Sequence, residues 1–87
     1  MNHRQTIGKN IELARTVLGW SQTRLAEEVG VEQTYVSKVE KGKVNVSVDS
    51  LNRFASALRK PLAFFFQEID VAEVEVKNAQ ARRRKAA

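Results

Sequence analysis

The sequence predicts an all-α protein of five helices. Three observations support this prediction: apolar residues recur at intervals of three and four, residues that favour helix starts precede several of these stretches, and glycines end three of them. With 87 residues the chain has room for one domain. Cysteine is absent and the single histidine, His3, stands near the amino terminus, so we expect no disulfide and no metal site.

The first three predicted helices end at glycines, which can take the left-handed conformation. Helix 1 ends before Gly19, and its apolar stripe consists of Ile7, Ile11, Ala14 and Leu18. Helix 2 follows the capping residue Ser21 and ends at Gly30, and its apolar face consists of Leu25, Ala26 and Val29. Helix 3 restarts after only two residues and ends at Gly42, and its inward residues are Val36 and Val39.

Two further helices are predicted beyond the aperiodic stretch that follows Gly42. Ser47 is a good cap for helix 4, and the expected buried face of that helix consists of Leu51, Phe54, Ala55 and Leu58. Pro61 suits the first position of a short helix 5. Residues 62–66 are apolar on every side, so helix 5 must be covered by something. Trp20 and Phe54 are predicted to be core residues.

The last twenty residues differ in charge from the rest of the chain. Residues 1–67, the predicted domain, hold ten basic and six acidic side chains, whereas residues 68–76 hold four acids and residues 77–87 hold five bases. The pattern of residues 69–76 fits either a helix or a strand. We expect the basic end to be a flexible tail, which either adds nonspecific nucleic-acid affinity or serves only solubility.

Composition also narrows the class of protein. A net charge of +5 suits a nucleic-acid partner, because neutralising phosphates releases counterions. The longest apolar run, Leu62–Phe66, is far shorter than the roughly 20 residues of a membrane span, and no signal-peptide pattern precedes it. We therefore expect a cytoplasmic protein without membrane association or cofactor. The absence of cysteine and of paired carboxylates predicts that it is not an enzyme.

Helices 2 and 3 have the spacing of a helix-turn-helix. This motif needs a small residue in its first helix, a residue tolerant of positive φ in the turn, and a β-branched residue where the helices cross. Ala26, Gly30 and Val36 meet these needs at offsets of four and ten residues. The short turn would hold the second helix away from the body, where its outer face could enter a DNA major groove about 12 Å wide.

The residues around this motif form a longer pattern, which consists of Arg15, Gly19, Ser21, Gln22, Leu25, Ala26, Gly30, Val31, Tyr35, Val36, Ser37, Glu40, Lys41, Gly42, Leu51, Ala55 and Leu58. Over about residues 7–66 the chain resembles the lambda-repressor-like (Xre/Cro-type) helix-turn-helix family. The resemblance implies a five-helix domain, with a short C-terminal extension here, that regulates transcription as a homodimer on double-stranded operator DNA. Residues 35–37 and 45–48 look most like restriction-modification controller proteins.

The resemblance and the side-chain chemistry together indicate a set of DNA-binding residues. Gln22, at the start of helix 2, is expected to meet a phosphate, since helix N-termini attract anions. The outer face of helix 3 is expected to meet base edges, and it consists of Gln33, Thr34, Ser37 and Lys38. Lys43 and Asn45 are expected to contact the DNA backbone. Tyr35 either packs at the edge of the domain or leans on a base step.

Two further sets of residues are predicted to be structural. The resemblance implies an ion pair between Arg15 and Glu40 that braces helix 3. Three consecutive aromatic residues on a short helix cannot all face inward, and family resemblance places dimerisation near this helix. The predicted dimer interface therefore consists of Leu62, Phe64, Phe65 and Phe66.

Two positions depart from the family pattern, and two other functions compete with operator binding. Val46 stands where many members have proline, and Glu32 stands where a shorter cap is common, which predicts a looser start of helix 3.

The first alternative function is that of an antitoxin, which captures a toxin as a protein partner through residues 68–87 and regulates its own operon. The second is an interaction domain that binds no DNA, which the polar outer face of helix 3 disfavours.

Overall fold

The computed structural model describes residues 2–68, which fold into four α-helices and one short 3-10 helix. In chain order these are α1 (His3–Val17), α2 (Gln22–Val29), α3 (Gln33–Glu40), α4 (Val48–Leu58) and the 3-10 helix η1 (Leu62–Phe66). No strand occurs between residues 2 and 68, and the all-helical prediction is confirmed for this range. The alternatives predicted for residues 69–76 and the predicted flexible tail lie outside the described residues.

The prediction of five α-helices is not confirmed, because the fifth segment is a 3-10 helix. Its backbone hydrogen bonds join residues three apart: the Phe64 amide donates to the Pro61 carbonyl at 3.0 Å, and the Gln67 amide donates to the Phe64 carbonyl at 3.3 Å. Pro61 itself has extended backbone angles and precedes the helix. A segment of five residues can form few α-helical hydrogen bonds, and the tighter 3-10 turn suits such short pieces.

Helix α1 begins at His3, before the first residue of the predicted apolar stripe. The Asn2 side chain accepts a hydrogen bond from the Gln5 amide at 2.9 Å and so caps the first turn. His3 is therefore the first residue of this helix. At the other end the predicted burial of Leu18 is wrong: this side chain is 48% exposed, because Leu18 is the C-cap residue, where the helix ends.

The remaining helix ends follow the sequence signals closely. Ser21 and Ser47 cap α2 and α4, since their hydroxyls accept from the amides of Arg24 and Ser50 at 3.0 and 3.1 Å. Glu32 makes no side-chain capping bond at the start of α3, as its length predicted. The capping predictions for Ser21 and Ser47 are confirmed, and they show that local chemistry sets these boundaries. The looser start of helix 3 stays a prediction.

The core lies where the four α-helices and η1 meet. Its fully buried side chains come from every one of these elements, and they are Ile11, Leu25, Val36, Val39, Phe54 and Phe65. Trp20 is only partly buried against this core, so its predicted place inside the core is wrong. The Arg24 guanidinium lies over its indole, 4.9 Å from the ring centroid.

Helix α1 approaches the end of α3 more closely than side chains would allow. A Cβ atom built on Gly8 would lie 2.4 Å from the carbonyl oxygen of Val39 and 2.8 Å from that of Glu40. Only a residue without a side chain fits at this crossing. Gly8 therefore sets the distance between α1 and α3.

A buried amide joins α1 to η1. The Asn10 side chain is fully buried, and its Nδ2 donates to the carbonyl oxygens of Phe65 at 2.7 Å and Gln67 at 2.8 Å. Within residues 2–68 its Oδ1 has no hydrogen-bond partner. Because buried backbone carbonyls need donors, Asn10 stabilises the irregular backbone at the end of η1.

The aromatic cluster of η1 divides between the core and the surface. Phe65 is fully buried, which removes it from the predicted dimer interface. Leu62 and Phe64 are partly buried, and the Phe64 ring meets Phe65 edge to face at 5.3 Å. Phe66 is 50% exposed.

No helix within the described range combines the length and apolar character needed to cross a bilayer.

Candidate nucleic-acid interface

Helices α2 and α3 form a compact pair joined by a tight turn. Gly30 adopts φ +84°, and the amides of Gly30 and Val31 both donate to the carbonyl oxygen of Ala26, at 2.8 and 3.0 Å. Ala26 and Val36 are both buried in the core. This turn geometry satisfies the end of α2 and directs the chain straight into α3.

The outer face of α3 consists of polar side chains. Gln33, Thr34 and Lys38 are exposed, and Ser37 is half-buried. The opposite face holds the buried Val36 and Val39. The four polar residues singled out in the sequence therefore share one accessible face, which carries amide, hydroxyl and ammonium groups.

A hydrogen-bonded chain, which we call the amide relay, connects α1 to the first residue of α3. Arg15 and Glu40 form a bidentate ion pair, with Nε to Oε2 at 2.7 Å and Nη2 to Oε1 at 3.0 Å. Gln22 Nε2 donates to Glu40 Oε1 at 3.0 Å, and Gln33 Nε2 donates to Gln22 Oε1 at 2.7 Å. The relay thus connects the exposed side chain of Gln33, through Gln22, to the buried ion pair of Arg15 and Glu40, which we call its anchor.

The anchor of the relay is largely withdrawn from solvent. The side chains of Arg15 and Glu40 are 14% and 4% exposed. Hydrogen bonding to the Glu40 carboxylate raises the pKa of Arg15 above its ordinary value, against the opposing effect of burial. Arg15 also donates from Nη1 to the carbonyl oxygen of Trp20 at 2.8 Å, so it ties α3 to the segment before α2 as well.

The loop between α3 and α4 presents Lys43 and Asn45 to solvent. Asn45 Oδ1 accepts a hydrogen bond from Nε of Arg4, which lies in the first turn of α1. Arg4 was not singled out in the sequence, because the apolar stripe of helix 1 begins only at Ile7. The available signal was Asn2 followed three residues later by Gln5, a pattern typical of helix starts.

Tyr35 lies at the edge of the domain. It is half-buried against the core, and its ring centroid is 6.4 Å from that of Phe54. This contact agrees with the alternative in which Tyr35 packs at the edge of the domain.

Within residues 2–68 no group of three His, Cys, Asp or Glu side chains is arranged to hold a metal ion.

Comparison with known families and proteins gives one consistent match. The helix-turn-helix family model HTH_3 matches residues 11–65. An uncharacterised HTH-type transcriptional regulator from Sinorhizobium medicae is 37% identical over 62 residues, which cover 71% of this chain and 45% of that protein. The chain thus spans less than half the length of this relative.

Solved structures with the same fold include a transcription factor and a controller protein. The hypothetical transcription factor NHTF from Neisseria superposes with a TM-score of 0.73 and 32% identity, covering 76% of each chain. The restriction-modification controller protein C.AhdI from Aeromonas hydrophila superposes with a TM-score of 0.70 and 33% identity, covering 72% of this chain and 96% of that one.

Proposed function

The chain belongs to the HTH_3 helix-turn-helix family of transcriptional regulators, and from this premise we propose that it recognises a specific operator through the outer face of α3. Regulators of this family bind DNA and are not enzymes. The observation that carries the proposal is the amide relay, because it ends on Gln33, the first residue of α3. A side chain already held in place loses less conformational entropy when it binds.

In this proposal the polar residues around α3 divide between two tasks. Gln33, Thr34, Ser37 and Lys38 read base edges in the major groove, where a glutamine can pair with adenine in two hydrogen bonds. Gln22, Lys43 and Asn45 position the helix by contacting the DNA backbone. Tyr35 is left out of the reading set, since its ring packs against the core.

We further propose a symmetric homodimer with Leu62, Phe64 and Phe66 in its interface. The partial exposure of Phe66 supports this, since an exposed aromatic ring gains from burial against a partner. A dimer of this kind places its two half-sites about one helical turn apart, roughly 34 Å from centre to centre. The similarity to C.AhdI supports a controller subtype over the antitoxin alternative. The segment that would bind a toxin in that alternative, residues 68–87, lies almost wholly outside the described residues.

The test compares Gln33→Ala with Gln67→Ala, an exposed glutamine beyond η1. A preferred operator is first selected from random duplex DNA, and each variant is then titrated against this operator and a scrambled duplex. Gln33→Ala should cost about 1–3 kcal/mol on the operator and much less on the scrambled duplex, because it removes a base contact. Gln67→Ala should match the wild type. Equal losses for Gln33→Ala on both duplexes would show that α3 does not read sequence.

A further inference from the structure

The first turn of α1 lies directly against the loop that follows α3. Two contacts place it there: Arg4 donates from Nε to Asn45 Oδ1, and a Cβ atom built on Gly42 would lie 2.9 Å from Cγ of Gln5. The side chain of Asn2 caps this turn, so the backbone that carries Arg4 is regular helix. Arg4 is thus held beside Asn45 by a structured element.

The guanidinium of Arg4 has donors left over. Within residues 2–68 its only side-chain hydrogen bond is the one from Nε, and no carboxylate pairs with it. The other arginines of the helical body that make side-chain contacts meet acceptors inside the protein: Arg15 meets Glu40, Arg24 meets Glu28, and Arg53 meets the carbonyl of Val29. Arg4 is exposed, and the two Nη nitrogens remain for an external acceptor.

We propose that Arg4 is a DNA phosphate contact, in which Asn45 orients the guanidinium through Nε while the Nη nitrogens donate to a backbone phosphate. Lys43 is exposed in the same loop, so the two cations would approach neighbouring phosphates from α1 and from the loop. The fork of an arginine suits a phosphodiester better than a lysine does, because it donates two parallel hydrogen bonds. This inference rests on the proposed DNA binding and adds α1 to the interface.

The test measures binding to the operator and to a scrambled duplex at several salt concentrations. Arg4→Ala should weaken binding to both duplexes by roughly tenfold or more, and should lower the salt slope by about 0.9 for each bound protomer. Arg4→Lys should keep most of the slope, since the charge remains, and recover only part of the affinity, since an ammonium lacks the Nε donor for Asn45.

The matched control is Arg59→Ala. Arg59 is an exposed arginine at the C-cap of α4, and the eleven residues of that helix, about 16 Å long, separate it from the loop. The substitution Arg59→Ala removes the same charge as Arg4→Ala. Arginine and alanine both carry a Cβ atom, so the positive φ of 55° at this position affects them alike. The slope and affinity of this variant should stay close to those of the wild type. Circular dichroism should show the same helix content in all variants.

The outcomes separate this inference from the proposal on which it rests. If Arg4→Ala behaves like Arg59→Ala while Lys43→Ala lowers the slope, the protein binds DNA and Arg4 takes no part. If Arg4→Ala loses affinity with an unchanged slope, Arg4 acts only by holding Asn45, and the phosphate contact is wrong. If the wild-type protein selects no duplex and shows no salt-dependent binding, the proposed function itself fails.

Discussion

Helix α1 packs against both α3 and η1, and it holds them by different means. Against α3 it uses the bidentate pair of Arg15 with Glu40 and the close backbone approach at Gly8. Against η1 it uses the buried amide of Asn10, which donates to the carbonyl oxygens of Phe65 and Gln67. The first contact fixes the orientation and the distance of α3, whereas the second fixes the backbone of η1 and leaves Phe66 outside.

This difference matches the tasks proposed for the two elements. A helix that reads base edges must present each side chain at one position, and a directional, charge-assisted contact supplies that. An interface for a second copy needs accessible apolar surface, which η1 retains because only one of its three phenylalanines is fully buried. The same helix, α1, therefore supports a polar reading surface on one side and an accessible apolar surface on the other.

The largest effect on the free energy of unfolding is expected when the contact between α1 and α3 is broken. Arg15→Ala leaves the Glu40 carboxylate, 4% exposed, without its cation, and we expect the free energy of unfolding to fall by about 3–5 kcal/mol. The matched control is Lys9→Ala, which removes the cation of an exposed pair with Glu12 on the same helix and should cost less than about 1 kcal/mol. Urea unfolding measures both. Similar losses would mean that the Arg15 pair contributes no more than a surface pair.

An intermediate effect is expected from the α1–η1 contact. Asn10→Ala removes the donor that serves the carbonyls of Phe65 and Gln67, and leaving these groups unpaired should cost about 1–3 kcal/mol. Asn52→Ala, at an exposed site on α4, is the control and should stay within about 0.5 kcal/mol of the wild type. A loss as small as that of Asn52→Ala would show that water replaces Asn10 and that η1 is not held by it.

The smallest effect on folding, and a selective effect on assembly, is expected at Phe66. Phe66→Ser should lower the free energy of unfolding at limiting dilution by only about 1 kcal/mol, because half of the ring is already exposed and only the other half loses its burial. It should weaken self-association in sedimentation equilibrium, whereas Ala63→Ser, on the exposed side of the same short helix, should not. Wild-type protein that stays monomeric at micromolar concentration, with and without DNA, would contradict the dimer itself.

The sequence contained enough to predict the α-helices, because their boundaries depend on local chemistry. Ser21, Gly30 and Ser47 act through hydrogen bonds and backbone angles within a few residues of themselves. The outer face of α3 was predictable for the same reason, since its residues alternate with the buried Val36 and Val39.

What could not be predicted depends on contacts between distant parts of the chain. Gly8 meets the carbonyl oxygens of Val39 and Glu40, and Asn10 meets backbone more than fifty residues away, so neither role shows in the local pattern. Phe65 was placed in the dimer interface because three identical side chains in a row do not reveal which one is buried. Arg4 was overlooked for a similar reason, since its partner Asn45 lies across the fold.

The glycine at position 8 also bears on how the molecule fluctuates. With the α1 backbone touching the last carbonyl oxygens of α3, the two helices have no layer of side chains there that could rearrange. Separating α3 from α1 also means breaking the Arg15–Glu40 pair, so we expect α3 to open together with α1 more readily than alone. Amide hydrogens in the middle of α1 and in the last turn of α3 are therefore expected to exchange with solvent as one cooperative unit.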